Sequence, residues 1–183
     1  MRRSDAFVLM VPGIDGSDEA HWQSRWQDDL GDGAGRIAPS SWTAPELDDW
    51  LAAIDRALPD RPTLLIAHSL GCLAVGRWLT TRTPGPVRGA VLVAPPDSSG
   101  PRFPAAAGSF VGRRVRPLPV PGLVIAGDDD PYAAPEATRR LAAAWDVPVV
   151  TVARGGHLNS ASGLGDWPAG RNLVTAFRAG RRL

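Results

Sequence analysis

Apolar positions along the chain fall into short unbroken runs, separated by stretches with helical spacing. Ala6–Val11 (AFVLMV), Thr63–Ala67 (TLLIA), Val87–Ala94, Gly122–Ala126 and Val147–Val152 have the length of strands. They do not alternate strictly between apolar and polar residues. That is the pattern of strands buried on both faces. Arg36–Ala38 predicts a short edge strand. Between these runs, Asp18–Leu30 predicts a helix with Ser17 as its N-cap and Asp18 and Glu19 in its first turn. Pro45–Leu58 predicts an amphipathic helix, because Leu47, Leu51, Ile54 and Leu58 share one face. Leu70–Leu79, Pro135–Trp145 and Gly170–Gly180 complete the helical set. Pro95–Val120 is rich in Pro, Gly, Ser and Arg and predicts an irregular excursion with at most a short helix.

Strands that alternate with helices imply a parallel sheet covered by helices on both faces. Right-handed crossovers then favour a doubly wound, three-layer α/β sandwich of six strands in the order 2-1-3-4-5-6. The chain has 183 residues, the size of one domain spanning 1–183 with little room for a second.

Composition narrows the function classes. A formal net charge of +1 gives no electrostatic reason for a nucleic-acid or membrane partner. Arg178, Arg181 and Arg182 read as the solvated end of the last helix. Cys72 is the only cysteine, so neither an intramolecular disulfide nor a zinc-ligand spacing exists. Arg2 and Arg3 precede an apolar run too short for a signal peptide, and no stretch reaches the roughly 20 apolar residues of a membrane span. A cytoplasmic location is the expectation.

The chemistry concentrates in Ala67-His68-Ser69-Leu70-Gly71, between a predicted strand and a predicted helix. A nucleophile elbow requires that context: a sharp turn lifts the Ser hydroxyl above the sheet, and the next N–H, that of Leu70, stands at a helix N-terminus. Small residues are needed two positions before and after the Ser. Gly71 meets this; Ala67 stands where Gly is usual. A Ser hydroxyl needs a base. His68 is beside Ser69 in the turn, so a structural role is expected for it. His21 is a core or pocket-lining candidate. His157 follows the last strand and alone fits the chain order Ser, acid, His. The acid should follow Gly122–Ala126, where Asp128, Asp129 and Asp130 stand together; Asp97 is an outside candidate. Spacing does not choose among the three, although Pro131 biases Asp130 towards an extended conformation.

In the expected strand order, strands one and three are neighbours and the winding reverses between them. That switch point brings the Pro12–Gly16 loop beside Ser69. The N–H of Ile14 is the predicted second oxyanion donor, and Gly13, Trp42 and Trp167 are candidate substrate-binding residues, although core packing is the favoured role for both tryptophans. A phosphate loop is the rival reading of this Gly-containing turn, but the Gly-Lys-Ser/Thr ending is missing.

These segments resemble a known family: the small serine hydrolases of the α/β-hydrolase fold typified by retinoblastoma-binding protein nine and the bacterial YdeN-like proteins. The resemblance runs through Val11-Pro12-Gly13, Ser17, His21-Trp22, Trp26, Trp42, Asp49-Trp50, the Ser69 elbow, Asp130-Pro131-Tyr132 and Gly156–Asn159 to Ser162–Pro168. It implies a compact α/β-hydrolase without a lid domain, and a triad of Ser69, Asp130 and His157. It also implies activity similar to that of carboxylesterases on small acyl substrates, with no metal or organic cofactor. The alternatives are a non-catalytic interaction module that keeps the fold, and an acyltransferase using the same residues.

Overall fold

The computed structural model describes residues 6–181; Arg2, Arg3 and Arg182 lie outside them. Six strands form one all-parallel sheet: β1 (Phe7–Val11), β2 (Ala34–Arg36), β3 (Thr63–His68), β4 (Val87–Val93), β5 (Gly122–Gly127) and β6 (Val149–Val152). Their order is β2-β1-β3-β4-β5-β6, the expected one. Five helices flank it: α1 (Trp22–Leu30), α2 (Leu47–Ala57), α3 (Leu70–Thr81), α4 (Pro135–Trp145) and α5 (Pro168–Arg181).

The two-sided burial read from the strands holds for β1, β3, β4 and β5, whereas β6, at the sheet edge, is only half-buried with Thr151 exposed. Leu9, Val11, Leu65, Ala67, Leu92 and Val124 face α2, α3 and α4, where Trp50, Ile54, Val75, Trp78 and Trp145 meet them. The intervening residues Val8, Met10, Leu64, Ile66, Val91 and Ile125 face α1 and α5. Trp22, Trp26 and Trp167 cluster on that second face, Trp26 stacked on Trp167 with ring centroids 5.9 Å apart. Their indoles also tie down the chain near the C-terminus: Trp22 Nε1 donates to the Leu158 carbonyl at 2.7 Å and Trp26 Nε1 to that of Asp166 at 2.7 Å. No helix among the described residues is long and apolar enough to cross a membrane.

Several boundaries depart from the sequence-based expectation. The first helix begins at Trp22, not Asp18, and His21 rather than Ser17 is its N-cap: the imidazole Nδ1 accepts the Gln23 N–H at 3.1 Å. Residues 18–21 close a turn in which the His21 N–H reaches the Asp18 carbonyl, so Asp18 and Glu19 stand outside the helix. Ser17 instead donates its hydroxyl to Gln23 Oε1 at 2.8 Å. The edge strand is Ala34–Arg36, two residues earlier than Arg36–Ala38. Gly35 allows this, because a Cβ there would meet the Phe7 ring at 2.9 Å. The last strand starts at Val149, after the Val147 N–H has closed the end of α4 on the Ala142 carbonyl. At the end of α5 Arg181 is exposed, but Arg178 is half-buried rather than fully solvated. The excursion between β4 and β5 holds only a short 3-10 segment, Ala105–Phe110, kinked at Ala107, with Ala107 and Phe110 buried.

Trp167 contributes packing to this second face and its ring leaves no room for a Cβ on Gly170. Trp167→Ala is therefore expected to cost about 3–5 kcal/mol of stability. Urea unfolding reads this as a lower midpoint at an unchanged slope, and a cost below about 1 kcal/mol would contradict the packing role.

Candidate active site

Between β3 and α3 the chain turns within one residue. Ser69 occupies that turn with φ of 52° and ψ of −125°, a conformation a non-glycine residue holds only under constraint. The constraint is visible on both sides: the Ser69 N–H donates to the Val93 carbonyl at 2.9 Å, and its own carbonyl accepts the Cys72 N–H at 2.9 Å. Gly71 lets α3 lie directly on β1, since a Cβ there would meet the carbonyl oxygens of Val11 at 2.2 Å and Pro12 at 2.4 Å. Ala67, where Gly is usual, is fully buried in the β3 ladder without displacing it.

The Ser69 hydroxyl donates to His157 Nε2 at 2.8 Å. On the far side of the ring, His157 Nδ1 donates to both Asp130 oxygens, at 3.0 and 2.9 Å. The carboxylate fixes the tautomer: Nδ1 carries the proton and Nε2 faces the serine as an acceptor. All three side chains are nearly closed off from solvent. Asp130 is further held by the Tyr132 N–H, which reaches Oδ1 at 2.9 Å.

The three adjacent aspartates divide the work. Asp128 accepts the Arg154 N–H at 2.7 Å and Asp129 the Gly156 N–H at 2.7 Å. Both brace the loop that carries His157, and only Asp130 meets the imidazole. Asp97 caps its own turn by accepting the Ser99 N–H and stands apart from this relay. His68 points away from the hydroxyl, and its Nε2–H donates to the His157 carbonyl at 2.9 Å. Burial holds the His68 pKa well below 6.5, so the ring stays neutral in this role. Burial likewise lowers the His21 pKa, to about 4, against the opposing pull of Asp18. Burial raises the Cys72 thiol, which faces the Val93 carbonyl and is no nucleophile.

A cleft of about 440 Å³ opens above Ser69. Gly13, Ile14, Leu70 and His157 line it, as does His21, which combines pocket lining with its capping role. Gly13 approaches Ser69 so closely that a Cβ would stand 2.8 Å from that of the serine. Among the described residues no hydrogen bond takes up the N–H of Ile14 or of Leu70, whereas those of Asp15 and Gly16 are satisfied by the carbonyls of Trp42 and Gly13. Two expected lining residues are not in the cleft. Trp42 supports the Gly13–Gly16 loop from behind, packed edge-on against Trp50 at 5.5 Å, and Trp167 lies in the core on the opposite face of the sheet. Tyr132, Asn159 and Ser160 do line it, and were missed as pocket residues. The Tyr132 ring centroid lies 4.5 Å from that of His157. Their signal was proximity in sequence to Asp130 and His157.

A doubly wound parallel sheet that carries a serine at a strained strand-to-helix turn, with its partners on later strand ends, defines an α/β-hydrolase. The serine hydrolase family model matches residues 8–176, and the chain belongs to that family. A YdeN-like hydrolase from Pectobacterium atrosepticum is 32% identical with a TM-score of 0.85, over 96% of this chain and 92% of that one. The ydeN gene product of Bacillus subtilis is 25% identical, with a TM-score of 0.76 over 95% of this chain and 99% of that one. A hydrolase from Agrobacterium vitis, 22% identical with a TM-score of 0.71 over 94% of this chain and 87% of that one, shares the fold. No curated protein sequence matches the chain.

The depressed His21 pKa makes stability depend on pH. Because the folded pKa lies below the unfolded 6.5, the unfolded chain takes the proton first. Stability is therefore full above pH 6.5 and falls as the pH drops towards about 4. His21→Asn keeps an oxygen where Nδ1 accepts the Gln23 N–H, so the cap survives while the titration is removed. Urea midpoints measured from pH 7 to pH 4 should fall less steeply in this variant than in the wild type. Identical profiles would contradict the assignment.

Proposed function

We propose that this hydrolase cleaves small acyl esters, and by the same chemistry thioesters or amides, with Ser69 as nucleophile, His157 as general base and Asp130 as the acid that orients it. The observation that carries this reading is the unbroken hydrogen-bonded line from Asp130 through His157 to Ser69 at the floor of an open cleft.

In this mechanism His157 Nε2 takes the hydroxyl proton as Ser69 Oγ attacks the acyl carbon. Asp130 stabilises the imidazolium that forms and holds its Nδ1–H in place. The carbonyl oxygen gains negative charge as the carbon becomes tetrahedral. The N–H groups of Leu70 and Ile14 receive it, which fits their lack of a partner in the resting protein. His157 then gives its proton to the leaving oxygen, sulfur or nitrogen as the bond to the acyl carbon breaks. Water, deprotonated by the same imidazole, attacks the acyl-enzyme and releases the acid and free Ser69. Every step uses groups of this chain and water alone.

The strain at Ser69 and the closeness of Gly13 serve the same end. A Cβ on Gly13 would occupy the space beside the nucleophile where the substrate carbonyl must enter. Hydrolysis of p-nitrophenyl acetate and butyrate tests the reading. Ser69→Ala and His157→Gln should each lower kcat by about a thousandfold or more, and Asp130→Asn by about 10⁴-fold through the wrong tautomer. Turnover in Ser69→Ala equal to wild type would overturn the assignment.

A further inference from the structure

The connection from β4 to β5 is a parallel crossover, which ordinarily lays a full helix on the sheet. Here it supplies only the short 3-10 helix Ala105–Phe110, and a groove of about 600 Å³ remains between α3 and α4. Leu73, Leu141 and Trp145 line it from the two helices, and Val111 and Val115 from the excursion. Its floor is tight where α3 meets α4, because a Cβ on Gly76 would stand 2.7 Å from the Trp145 indole nitrogen. Only four large apolar side chains are exposed among the described residues. Val111 and Val115 line this groove, and Tyr132 lines the cleft at Ser69. Pro96 lines both cavities, which makes them neighbours along one surface.

The groove also carries charge. Arg77, Arg113, Arg114 and Arg140 line it against a single carboxylate, Asp97, which already accepts the Ser99 N–H. Among the described residues none of these arginines forms an ion pair with a carboxylate within 4.0 Å. At the other side of Ser69 the cleft is lined by Asp15 and Asp18. An anionic group is therefore repelled at that side and attracted at the groove. A wholly apolar ligand would make no use of this positive charge, and a cationic one would be repelled by it.

We infer that the groove between α3 and α4 is the second half of the substrate site, taking the apolar chain of an anionic amphiphile whose carboxylate or phosphate sits on the arginines. This rests on the reading of Ser69 as the nucleophile, since it places the scissile carbonyl beside Pro96. The substrate class is then an ester or thioester with an anionic chain, in preference to a neutral or cationic one. Ala144, exposed within the groove, is where a large side chain would block it.

Calorimetric titration of the full chain with octyl phosphate, octyltrimethylammonium and inorganic phosphate decides the matter. Octyl phosphate should bind with one site and at least tenfold tighter than either of the others. It should compete with p-nitrophenyl butyrate for the enzyme. The double variant Arg77→Ala, Arg140→Ala and the single variant Ala144→Trp should each weaken octyl phosphate about tenfold or more. Binding of octyl phosphate no tighter than inorganic phosphate, or unchanged in both variants, overturns the proposal. So does binding that leaves ester hydrolysis uninhibited. A concentration-dependent dimer abolished by Ala144→Trp, without octyl phosphate binding, assigns the groove to a second copy instead and also overturns it. If the wild type cleaves no ester at all, the reading of Ser69 fails, while the calorimetry still reports on the groove.

Discussion

The contact between Gly71 and the carbonyl oxygens of Val11 and Pro12 governs the arrangement around Ser69. It lets α3 start directly over the neighbouring strand β1, so the chain reverses within one residue and Ser69 takes a positive φ. The strain this imposes is of order 1–3 kcal/mol. It is offset by burial of Leu70, Cys72, Ala74 and Val75 on α3 and by the hydrogen bonds from Ser69 to Val93 and from Cys72 back to Ser69. The same close approach brings the loop after β1 against the serine. One backbone contact thus sets the orientation of the hydroxyl and places two N–H groups beside it.

The imidazole is positioned from a different direction. His157 sits on a loop without regular structure, and such loops are mobile unless they are tied. This one is tied at four points. Asp128 and Asp129 hold its N–H groups, His68 donates to the His157 carbonyl, and the Trp22 indole donates to that of Leu158. Gly127 permits the approach of β5 to this loop, since a Cβ there would stand 2.2 Å from the Gly156 carbonyl oxygen. The aspartates that do not touch the imidazole keep the loop in place for the one that does. His68 similarly connects the Ser69 turn to the His157 loop, and its ring points away from the Ser69 hydroxyl.

Much of this was legible in the sequence because burial on both faces writes itself into the strands. Unbroken runs such as Thr63–Ala67, alternating with helical spacing, imply the parallel sheet, and the expected strand order adds its switch point. From these, the meeting of the Ser69 turn with the loops at Gly13 and His157 follows. Spacing could not choose Asp130 over Asp128 and Asp129, since all three stand on one turn; resemblance to the family made that choice. The N-terminus of α1 was misplaced because an acidic first turn after a serine normally signals a helix start, whereas here an imidazole made a better cap than Ser17. Trp42 and Trp167 pack as the core role expected of them and not as pocket walls, because a tryptophan near a motif does not reveal which face of the sheet it covers. The groove between α3 and α4 was illegible, since it arises from a helix that the β4–β5 crossover lacks.

The proposed role of Ser69 as a nucleophile activated by His157 has a covalent signature. Intact-mass and peptide-mass spectrometry after exposure to a fluorophosphonate test it most directly. One phosphonyl adduct per chain is expected, located on the peptide containing Ser69, absent in Ser69→Ala and strongly slowed in His157→Gln. Folded wild-type protein that acquires no adduct, or an adduct that persists in Ser69→Ala, would contradict it.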